Sequence, residues 1–209
     1  MLVAGLTGSS GAGKGVVASL FLKYGVKSID TDLVYREITY PASPCLNELV
    51  SAFSPSILLP DGNLDRRKLA SIVFSDKDKL DVLNGIAHRH ILAETEKRLA
   101  ALEKIGCRIA LVDAPVLFES GFDKKCDVVV CVVAKRDARL RRIVERDGIT
   151  RKAAEERLRN MQKNSFYTQK SDFVIKNDGS LDELEERVKE TFSALDSLAE
   201  SKAARGKLK

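Results

Sequence analysis

The stretch that decides the fold reads Gly8-Ser9-Ser10-Gly11-Ala12-Gly13-Lys14-Gly15. It follows an apolar run at residues 2–6 and precedes a helix-like segment at residues 16–21. A strand, a glycine-rich turn that ends in Gly-Lys and a helix form the phosphate cradle of a P-loop. The glycines permit positive φ angles that turn backbone N–H groups inward, and the helix N-terminus adds partial positive charge. The sequence therefore predicts a site for a polyphosphate, with Lys14 neutralising its outer phosphates.

One element of the usual P-loop pattern is missing. Ser or Thr normally follows the lysine, where the hydroxyl binds Mg²⁺. Here Gly15 and then Val16 stand at that point. The alternative explanation, a glycine-rich turn that only packs tightly, is disfavoured because the whole Gly-x-x-x-x-Gly-Lys pattern is one of the more specific short signals. The pattern predicts the ligand class, and the reaction has to be inferred from the rest of the chain.

The charge of the chain is concentrated at its C-terminal end. Of the formal net charge of +5 over 209 residues, four charges come from Lys202, Arg205, Lys207 and Lys209, and no acidic residue follows Glu200. The rest of the chain is nearly neutral, so we expect no nucleic-acid partner. We predict that residues 201–209 form a basic, disordered tail.

Cysteines and histidines argue against disulfides and zinc. Cys45, Cys107, Cys126 and Cys131 contain no Cys-x-x-Cys pair, and His88 and His90 are the two histidines. Reduced core cysteines favour a cytoplasmic protein. The N-terminal apolar run is broken by glycines and lacks a basic segment before it, which indicates a buried strand instead of a signal peptide. No apolar stretch approaches the ~20 residues of a membrane span, so we expect no membrane partner.

Alternating strand and helix patterns predict a doubly wound α/β fold, a parallel sheet in a three-layer α/β/α arrangement. We expect a single P-loop domain at 1–200, with its core at 1–32, 105–134 and 166–200, a helical insertion at 33–104 and a lid at 135–165. Within the insertion, Asp65 is expected to cap a helix, and a long helical region from Lys77 to Lys104 is expected to break near Gly85. The strands are expected at residues 2–6, 26–29, 107–113, 128–133 and 172–175.

Acidic residues stand where two of these strands end. Asp30 and Asp32 follow the second strand, and Asp113 ends the third, as the carboxylate of a Walker-B strand does. In an open parallel sheet the carboxyl ends of strands face the ligand crevice. We therefore expect these carboxylates beside the phosphates. The alternative is that Asp30, or less readily Asp32, simply N-caps the helix that follows.

The segment from Lys135 to Lys163 is rich in arginine, and a turn at 147–150 divides it into two helices, with Thr150 as the predicted cap of the second. Arg139, Arg142 and Arg146 share one helical face and can point at one anionic target. A salt-bridged surface pair of helices is the alternative. Beside a P-loop, an arginine lid that closes over ATP is the better interpretation.

Several segments stand in a fixed order along the chain. They are Leu6-Thr7-Gly8, Asp30-Thr31-Asp32 with Arg36-Glu37, Asp61-Gly62-Asn63-Leu64-Asp65-Arg66 with Leu69 and Val73-Phe74, residues 83–91 around His88, Asp113-Ala114-Pro115-Val116-Leu117-Phe118-Glu119, residues 142–148 with Arg157 and Gln162, and residues 172–179. By the order and spacing of these segments the chain resembles the dephospho-CoA kinase family from Leu6 to about Leu184. Three departures from the family pattern stand out: Gly15-Val16 replaces Ser-Thr, Arg89 replaces a proline, and Ser43 and Ser54 replace glycines.

The resemblance implies ATP-dependent phosphorylation of the ribose 3′-hydroxyl of dephospho-CoA, giving CoA and ADP with Mg²⁺ as cofactor. It also implies a monomer or weak homo-oligomer with these two small molecules as its partners. By the same resemblance Asp32, Lys14 and Arg142 are catalytic, Asp32 as the general base, and Asp113 holds Mg²⁺ through water. The implied ATP-binding residues are Gly8, Gly11, Ala12, Gly13, Lys14, Gly15, Val16, Arg146 and Asn177. The implied acceptor-binding residues are Tyr35, Arg36, Arg66, His88, Asp113 and Phe118.

Three other functions remain open at this point. One is a different P-loop kinase, acting on a nucleoside or nucleotide. A second is a non-catalytic nucleotide-binding relative, for which Gly15 is the motivating feature. The third is an RNA-associated P-loop protein recruited by the basic tail, whose binding would weaken steeply with salt.

Overall fold

A parallel sheet of five strands forms the centre of the computed structural model, which describes residues 1–206. The predicted α/β fold is confirmed, and a strand lies at each of the five predicted places. The strands are β1 (Leu2–Gly8), β2 (Lys27–Asp30), β3 (Ile109–Asp113), β4 (Val128–Val133) and β5 (Phe173–Lys176). Their order is β2-β3-β1-β4-β5, so β1 lies in the middle of the sheet. β1 pairs in parallel with β3 and β4, and β4 with β5.

Helices flank the sheet and fill the long segment between β2 and β3. Two expected helix caps are present: the side chain of Asp65 accepts a hydrogen bond from the N–H of Lys68, and that of Thr150 accepts one from the N–H of Ala153. The helices are α1 (Lys14–Leu22), α2 (Thr31–Ile38), α3 (Pro44–Phe53), α4 (Arg66–Val73), α5 (Lys77–Lys104), α6 (Arg136–Asp147), α7 (Arg151–Arg159), α8 (Asn164–Thr168) and α9 (Leu181–Gly206).

One expectation about the helices is wrong, and one helix was missed. Helix α5 is continuous through Gly85, where we expected a break. An interior glycine costs a helix only about 1 kcal/mol, and the buried Ile86 next to it packs in a hydrophobic core. Helix α8 was not predicted, because its five residues are too short for a helical period to be recognised.

The C-terminal helix is longer than the sequence indicates. Helix α9 continues to Gly206, so the predicted disorder is wrong for residues 201–206, while residues 207–209 lie outside the described part. Ala199 is buried against the core, and Nζ of Lys202 lies 2.6 Å from a carboxylate oxygen of Asp127. Packing and this ion pair stabilise a segment whose composition alone favours a solvated chain.

Strand β4 shows how the sheet is covered on both faces. Val128, Val130 and Val132 pack with α1 and α9 in the main core. Cys131 and Val133, which point to the opposite face, pack with Tyr167 of α8. Burial on both faces explains the almost uninterrupted apolar run of this strand.

The chain divides into two compact units. One consists of Met1–Ile29 and the described residues from Leu102 onward, and it contains most of the sheet. The other, Asp30–Ala101, is helical and has a hydrophobic core of its own, centred on Leu46, Leu49 and Ile57. The second unit corresponds closely to the insertion expected at 33–104. That the whole of 1–200 acts as one kinase domain stays a prediction.

The four cysteines are free thiols, as expected. Cys45 and Cys131 are buried, and burial raises the pKa of Cys45 to about 11 and that of Cys126 to about 12. These thiols are thus core residues. None of the helices within residues 1–206 has the length and apolar character needed to cross a membrane.

Candidate active site

The loop between β1 and α1 has the conformation that its glycines predict. Gly8, Gly11 and Gly13 have φ angles of 151°, 77° and 94°. A Cβ at Gly8 would lie 2.2 Å from the carbonyl oxygen of Val132, and one at Gly13 would lie 2.3 Å from Nδ2 of Asn177. Neither space admits a side chain, so the loop can pass this close to its neighbours only with glycine at both positions.

The surroundings of Gly15 are different. A Cβ there would meet no heavy atom within 4 Å, and the backbone does not have a positive φ. The next side chain, Val16, is 46% exposed. Neither packing nor backbone conformation therefore requires glycine at position 15, and a serine would fit.

Side chains hold the carbonyl groups of the loop from one side. Nη1 of Arg142 lies 3.4 Å from the carbonyl oxygen of Gly11 and 3.3 Å from that of Ala12. The amide of Asn177 donates to the same Ala12 oxygen at 2.8 Å and accepts from Nη2 of Arg142 at 3.2 Å. Because trans peptide groups are planar, the N–H of Gly13 points away from these donors. The loop thus directs this N–H to its other side, where an anion can bind.

Lys14, the first residue of α1, forms an ion pair with Asp113 at the end of β3. Side-chain exposure is 20% for the lysine and 7% for the aspartate, so both charges are largely removed from water. The sheet order explains the contact, since β3 lies directly beside β1 and the loop continues from β1. Within residues 1–206, no group of three or more histidine, cysteine or carboxylate side chains could hold a metal ion.

The three arginines expected on one face of α6 do not share one target. Arg139 and Arg142 contact carbonyl groups of the phosphate loop. Arg146 instead lies 2.7 Å from a carboxylate oxygen of its neighbour Asp147, which Arg157 also contacts. These two arginines hold the pKa of Asp147 below its usual value, Arg146 having the larger effect. An ion pair of the kind proposed by the surface alternative is therefore present at the end of α6.

The two aspartates after β2 have different roles. The Asp30 side chain accepts hydrogen bonds from the N–H groups of Asp32 and Leu33, at 2.8 and 3.2 Å, and so caps α2. The Asp32 carboxylate is exposed in the first turn of that helix. The alternative that Asp32 caps the helix is wrong, and its carboxylate remains available for chemistry.

Tyr35 and Arg66 lie together in the helical unit. The guanidinium carbon of Arg66 is 4.9 Å from the centre of the Tyr35 ring, and Nη2 of Arg66 donates to the Thr39 hydroxyl at 2.7 Å. Burial raises the pKa of Tyr35, and the charge of Arg66 opposes this effect. Arg36, on the same helix as Tyr35, is exposed. These residues present a phenol and two cations.

The histidine region of α5 belongs to the same unit. His88 is half-buried, and Nε2 of His90 lies 2.8 Å from Oε2 of Glu48. Arg89, which departs from the family pattern, forms an ion pair with the other oxygen of that carboxylate. The two contacts lower the pKa of Glu48, with the bond from His90 contributing most. Arg89, which stands where the family pattern has a proline, thus has a structural partner in this chain.

Phe118 lies in the sheet unit, in the segment after β3. Its ring packs edge-on against Phe166 at 5.7 Å and lies 6.5 Å from the Tyr167 ring. Nζ of Lys170 stands 4.2 Å from the centre of the Phe166 ring and 5.3 Å from that of Phe118. The predicted acceptor residue is therefore part of an aromatic cluster that carries a cation.

Sequence reasoning missed several contacts around the loop. Asn164 accepts from the Ser9 hydroxyl at 2.9 Å and from Nη1 of Arg139 at 3.3 Å. Lys170 likewise contacts the ring of Phe118, and Thr39 accepts a hydrogen bond from Arg66. The arginine spacing on α6 was a signal for Arg139, but a lone asparagine or lysine in a polar segment carries none.

Known proteins share this sequence over most of its length. A family model described as dephospho-CoA kinase matches residues 2–183. The dephospho-CoA kinase of Corynebacterium glutamicum is 38% identical over 195 residues, which is 93% of this chain and 100% of that protein. The similarity spans both compact units and includes the loop, Asp32, Asp113 and α6.

Solved structures show the same fold. The structure of dephospho-CoA kinase from Campylobacter jejuni matches with a TM-score of 0.70 and 26% identity, covering 93% of this chain and 97% of that one. A shikimate kinase from Bacteroides thetaiotaomicron matches with a TM-score of 0.56 and 15% identity, over 93% and 98% of the two chains. The second likeness concerns the fold alone.

Proposed function

Because this chain belongs to the dephospho-CoA kinase family, we propose that it transfers the γ-phosphoryl group of ATP to the ribose 3′-hydroxyl of dephospho-CoA. The new bond joins the 3′-oxygen to the γ-phosphorus. The bond from that phosphorus to the β–γ bridging oxygen breaks, and ADP leaves. The observation that carries the proposal is the match of residues 2–183 to this family, together with a phosphate loop that lacks only the hydroxyl residue after Lys14.

The loop residues bind the nucleotide. Backbone N–H groups between Gly11 and Gly15 and the ammonium of Lys14 neutralise the β- and γ-phosphates, and Gly8, Ala12 and Val16 belong to the same cradle. Arg142 stabilises charge on the group in transfer, and to do so it leaves the Gly11 and Ala12 carbonyl groups that it contacts in this structure. Asn177 supports the nucleotide through the Ala12 carbonyl. Arg146 joins only after leaving Asp147.

Asp32 accepts the proton of the attacking hydroxyl or orients it. Its exposure and its freedom from the capping role support this assignment. The acceptor-binding residues that the family resemblance implies remain Tyr35, Arg36, Arg66, His88, Asp113 and Phe118. The phenol, the cations and the aromatic ring fit the anionic diphosphate and the adenine base of such an acceptor.

We further propose that phosphoryl transfer by this chain requires a divalent metal ion and that this ion is Mg²⁺. Mg²⁺ keeps several waters and needs only one or two carboxylates beside the phosphates, so Asp113 alone fits, holding it through water. The open space at Gly15 leaves room for a water where the usual hydroxyl would stand. When bound, the metal neutralises phosphate charge. The free cysteines support a cytoplasmic enzyme, and we propose a monomer or weak homo-oligomer.

A substrate panel tests the proposal. ADP release is measured with dephospho-CoA, uridine, cytidine and nucleoside monophosphates as acceptors, under ATP excess and a Mg²⁺ titration. We expect dephospho-CoA to be used fastest and the rate to depend on Mg²⁺. Faster turnover of a nucleoside or nucleotide would overturn the acceptor, and ATP binding without turnover of any acceptor would identify a non-catalytic relative.

A further inference from the structure

Arg139 of α6 is a buried cation beneath the phosphate loop. The residue is 6% exposed, its Nε donates to the carbonyl oxygen of Ser10 at 2.8 Å, and its Nη1 lies 3.3 Å from Oδ1 of Asn164. Nη2 is buried and has no hydrogen-bond partner within the described chain. No carboxylate among residues 1–206 forms an ion pair with Arg139. The loop and α6 therefore enclose a positive charge that the protein itself does not compensate.

Such a charge is costly for the protein alone. Burial lowers the pKa of the Arg139 guanidinium, and the neighbouring cation Arg136 adds to this effect. A buried cation is stabilised when an anion comes near, because Coulomb interactions are weakly screened inside a protein. The anion expected beside Arg139 is a nucleotide phosphate held in the loop that Arg139 contacts.

The peptide group that Arg139 contacts links it to the phosphates. The carbonyl of Ser10 and the N–H of Gly11 belong to one planar trans peptide unit, since no cis peptide bond occurs within residues 1–206. Because the carbonyl points to Arg139, the Gly11 N–H points in the opposite direction. A charged donor on the carbonyl also polarises the unit and strengthens the N–H as a donor.

Asn164 fixes the arginine in this position. Its Oδ1 accepts from the Ser9 hydroxyl at 2.9 Å as well as from Arg139, and its Nδ2 donates to the carbonyl of Ala134 at 2.9 Å. The asparagine thus ties α8 to the end of β4, to the loop and to α6. Because the Asn164 side chain is a neutral amide, it gives Arg139 a hydrogen-bond acceptor but no negative charge.

We propose that Arg139 is a positioning residue for the nucleotide: from behind the loop it orients the Ser10–Gly11 peptide and supplies positive charge that a di- or triphosphate compensates. The inference rests on the proposed function only in that the loop binds such a nucleotide. It does not depend on the identity of the acceptor. Arg142 and Asn177 act on the next two carbonyls, and Arg139 extends this row of donors to Ser10.

The test measures the affinity of the full chain for ADP with Mg²⁺ by calorimetry, with no acceptor present. We compare Arg139→Gln, which keeps a polar side chain without charge, with Arg139→Lys, which keeps the charge. Arg141→Gln is the matched control, an exposed arginine two residues further along α6. We expect Arg139→Gln to bind ADP about tenfold more weakly or worse, Arg139→Lys to recover to within about threefold of the parent, and the control to be unchanged.

Two readouts separate positioning from simple stability. Arg139→Gln should raise the KM for ATP and leave that for the acceptor unchanged. In NMR spectra of the unliganded chain, the chemical shift of the Gly11 amide should change in Arg139→Gln and return towards its original value in Arg139→Lys. Equal ADP affinity in Arg139→Gln and the parent overturns the proposal, as does equal weakening in the glutamine and lysine variants.

If Arg139→Gln does not fold, Asn164→Ala serves as the second variant, because it keeps the charge but removes the partner that fixes it. We expect ADP binding about three- to tenfold weaker, with the acceptor KM unchanged. Unchanged ADP affinity in Asn164→Ala then overturns the proposal. Failure of dephospho-CoA as the acceptor would leave all the ADP results intact, so the two proposals fail separately.

Discussion

Lys14, the first residue of α1, forms an ion pair with Asp113, the last residue of β3, and both side chains are largely buried. The lysine is thereby held at the phosphate loop before any nucleotide arrives. A preorganised charge needs no rearrangement during the reaction, which is the condition under which electrostatic stabilisation is most effective. The same pair contributes to both stability and chemistry, and the two contributions can be separated.

Lys14→Met should lower both activity and stability. Loss of the ammonium removes charge neutralisation at the phosphates, and we expect kcat to fall roughly 10³-fold. It also removes the Lys14 ammonium from the buried Asp113 carboxylate, at a cost of about 3 kcal/mol in unfolding free energy. Turnover and urea denaturation measure the two effects.

The double variant Lys14→Met/Asp113→Asn is the control for this prediction. Removing both charges should restore most of the lost unfolding free energy, because no uncompensated carboxylate remains. Activity should stay low. Recovery of turnover in the double variant would contradict the role given to Lys14.

Asp32→Asn should reduce kcat by about 10²- to 10⁴-fold, the usual contribution of a general base, with little change in the KM values. Its carboxylate is exposed and does not cap α2, so unfolding free energy should stay the same. Near-normal kcat in this variant would show that the base is wrongly assigned.

Asp30→Ala provides the structural contrast two residues away. The Asp30 side chain caps α2, and loss of an N-cap costs about 1 kcal/mol. We therefore expect a lower denaturation midpoint for this variant and an unchanged one for Asp32→Asn. A lower urea midpoint for Asp32→Asn together with an unchanged midpoint for Asp30→Ala would contradict the assignment of the helix cap to Asp30.

Gly15→Ser should restore the missing Mg²⁺ ligand. A side chain at this position meets open space, so the fold should tolerate it. We expect kcat to be unchanged or to rise by up to about ten- to a hundredfold, and half-maximal activity to need less Mg²⁺, because a hydroxyl replaces a water at the metal. A Mg²⁺ titration of the initial rate measures both.

Gly13→Ser is the matched control for Gly15→Ser. Its Cβ would lie 2.3 Å from Nδ2 of Asn177, at a φ of 94°, so the loop has to distort. We expect ATP binding to be lost there while it persists in Gly15→Ser. Reduced activity in Gly15→Ser would indicate that glycine at position 15 serves a purpose that the structure does not explain.

Ser54 and Ser43 should respond to glycine in opposite directions. Ser54 has φ 71° and ψ 161°, a conformation that favours glycine, whereas Ser43 has φ −67° and caps α3 through a bond from the Leu46 N–H. We expect Ser54→Gly to raise the unfolding free energy by about 1 kcal/mol and Ser43→Gly to lower it by about 0.5 kcal/mol. Urea denaturation of both variants checks this, and a shift of the same sign in both would contradict it.

The sequence by itself determined the elements of the fold and the class of ligand. Strands such as β4 are recognisable because burial on both faces demands an apolar run, and the phosphate loop is recognisable because only glycine fits where Gly8 and Gly13 pass other backbone and side-chain atoms. Both features depend on a few consecutive residues, and such features can be recognised in the sequence. The resemblance to the family came from many such segments in order.

The tertiary structure alone decided which polar groups meet. It assigned the helix cap to Asp30, paired Arg146 with Asp147, continued α9 to Gly206, and set Arg139 against the Ser10 carbonyl. Each of these outcomes depends on competition between partners, often far apart in the chain, and helical spacing cannot rank such partners. The loop could be predicted from eight consecutive residues. The side chains that donate to its carbonyl groups could be identified only from the tertiary structure, which packs α6, α8 and β5 against the loop.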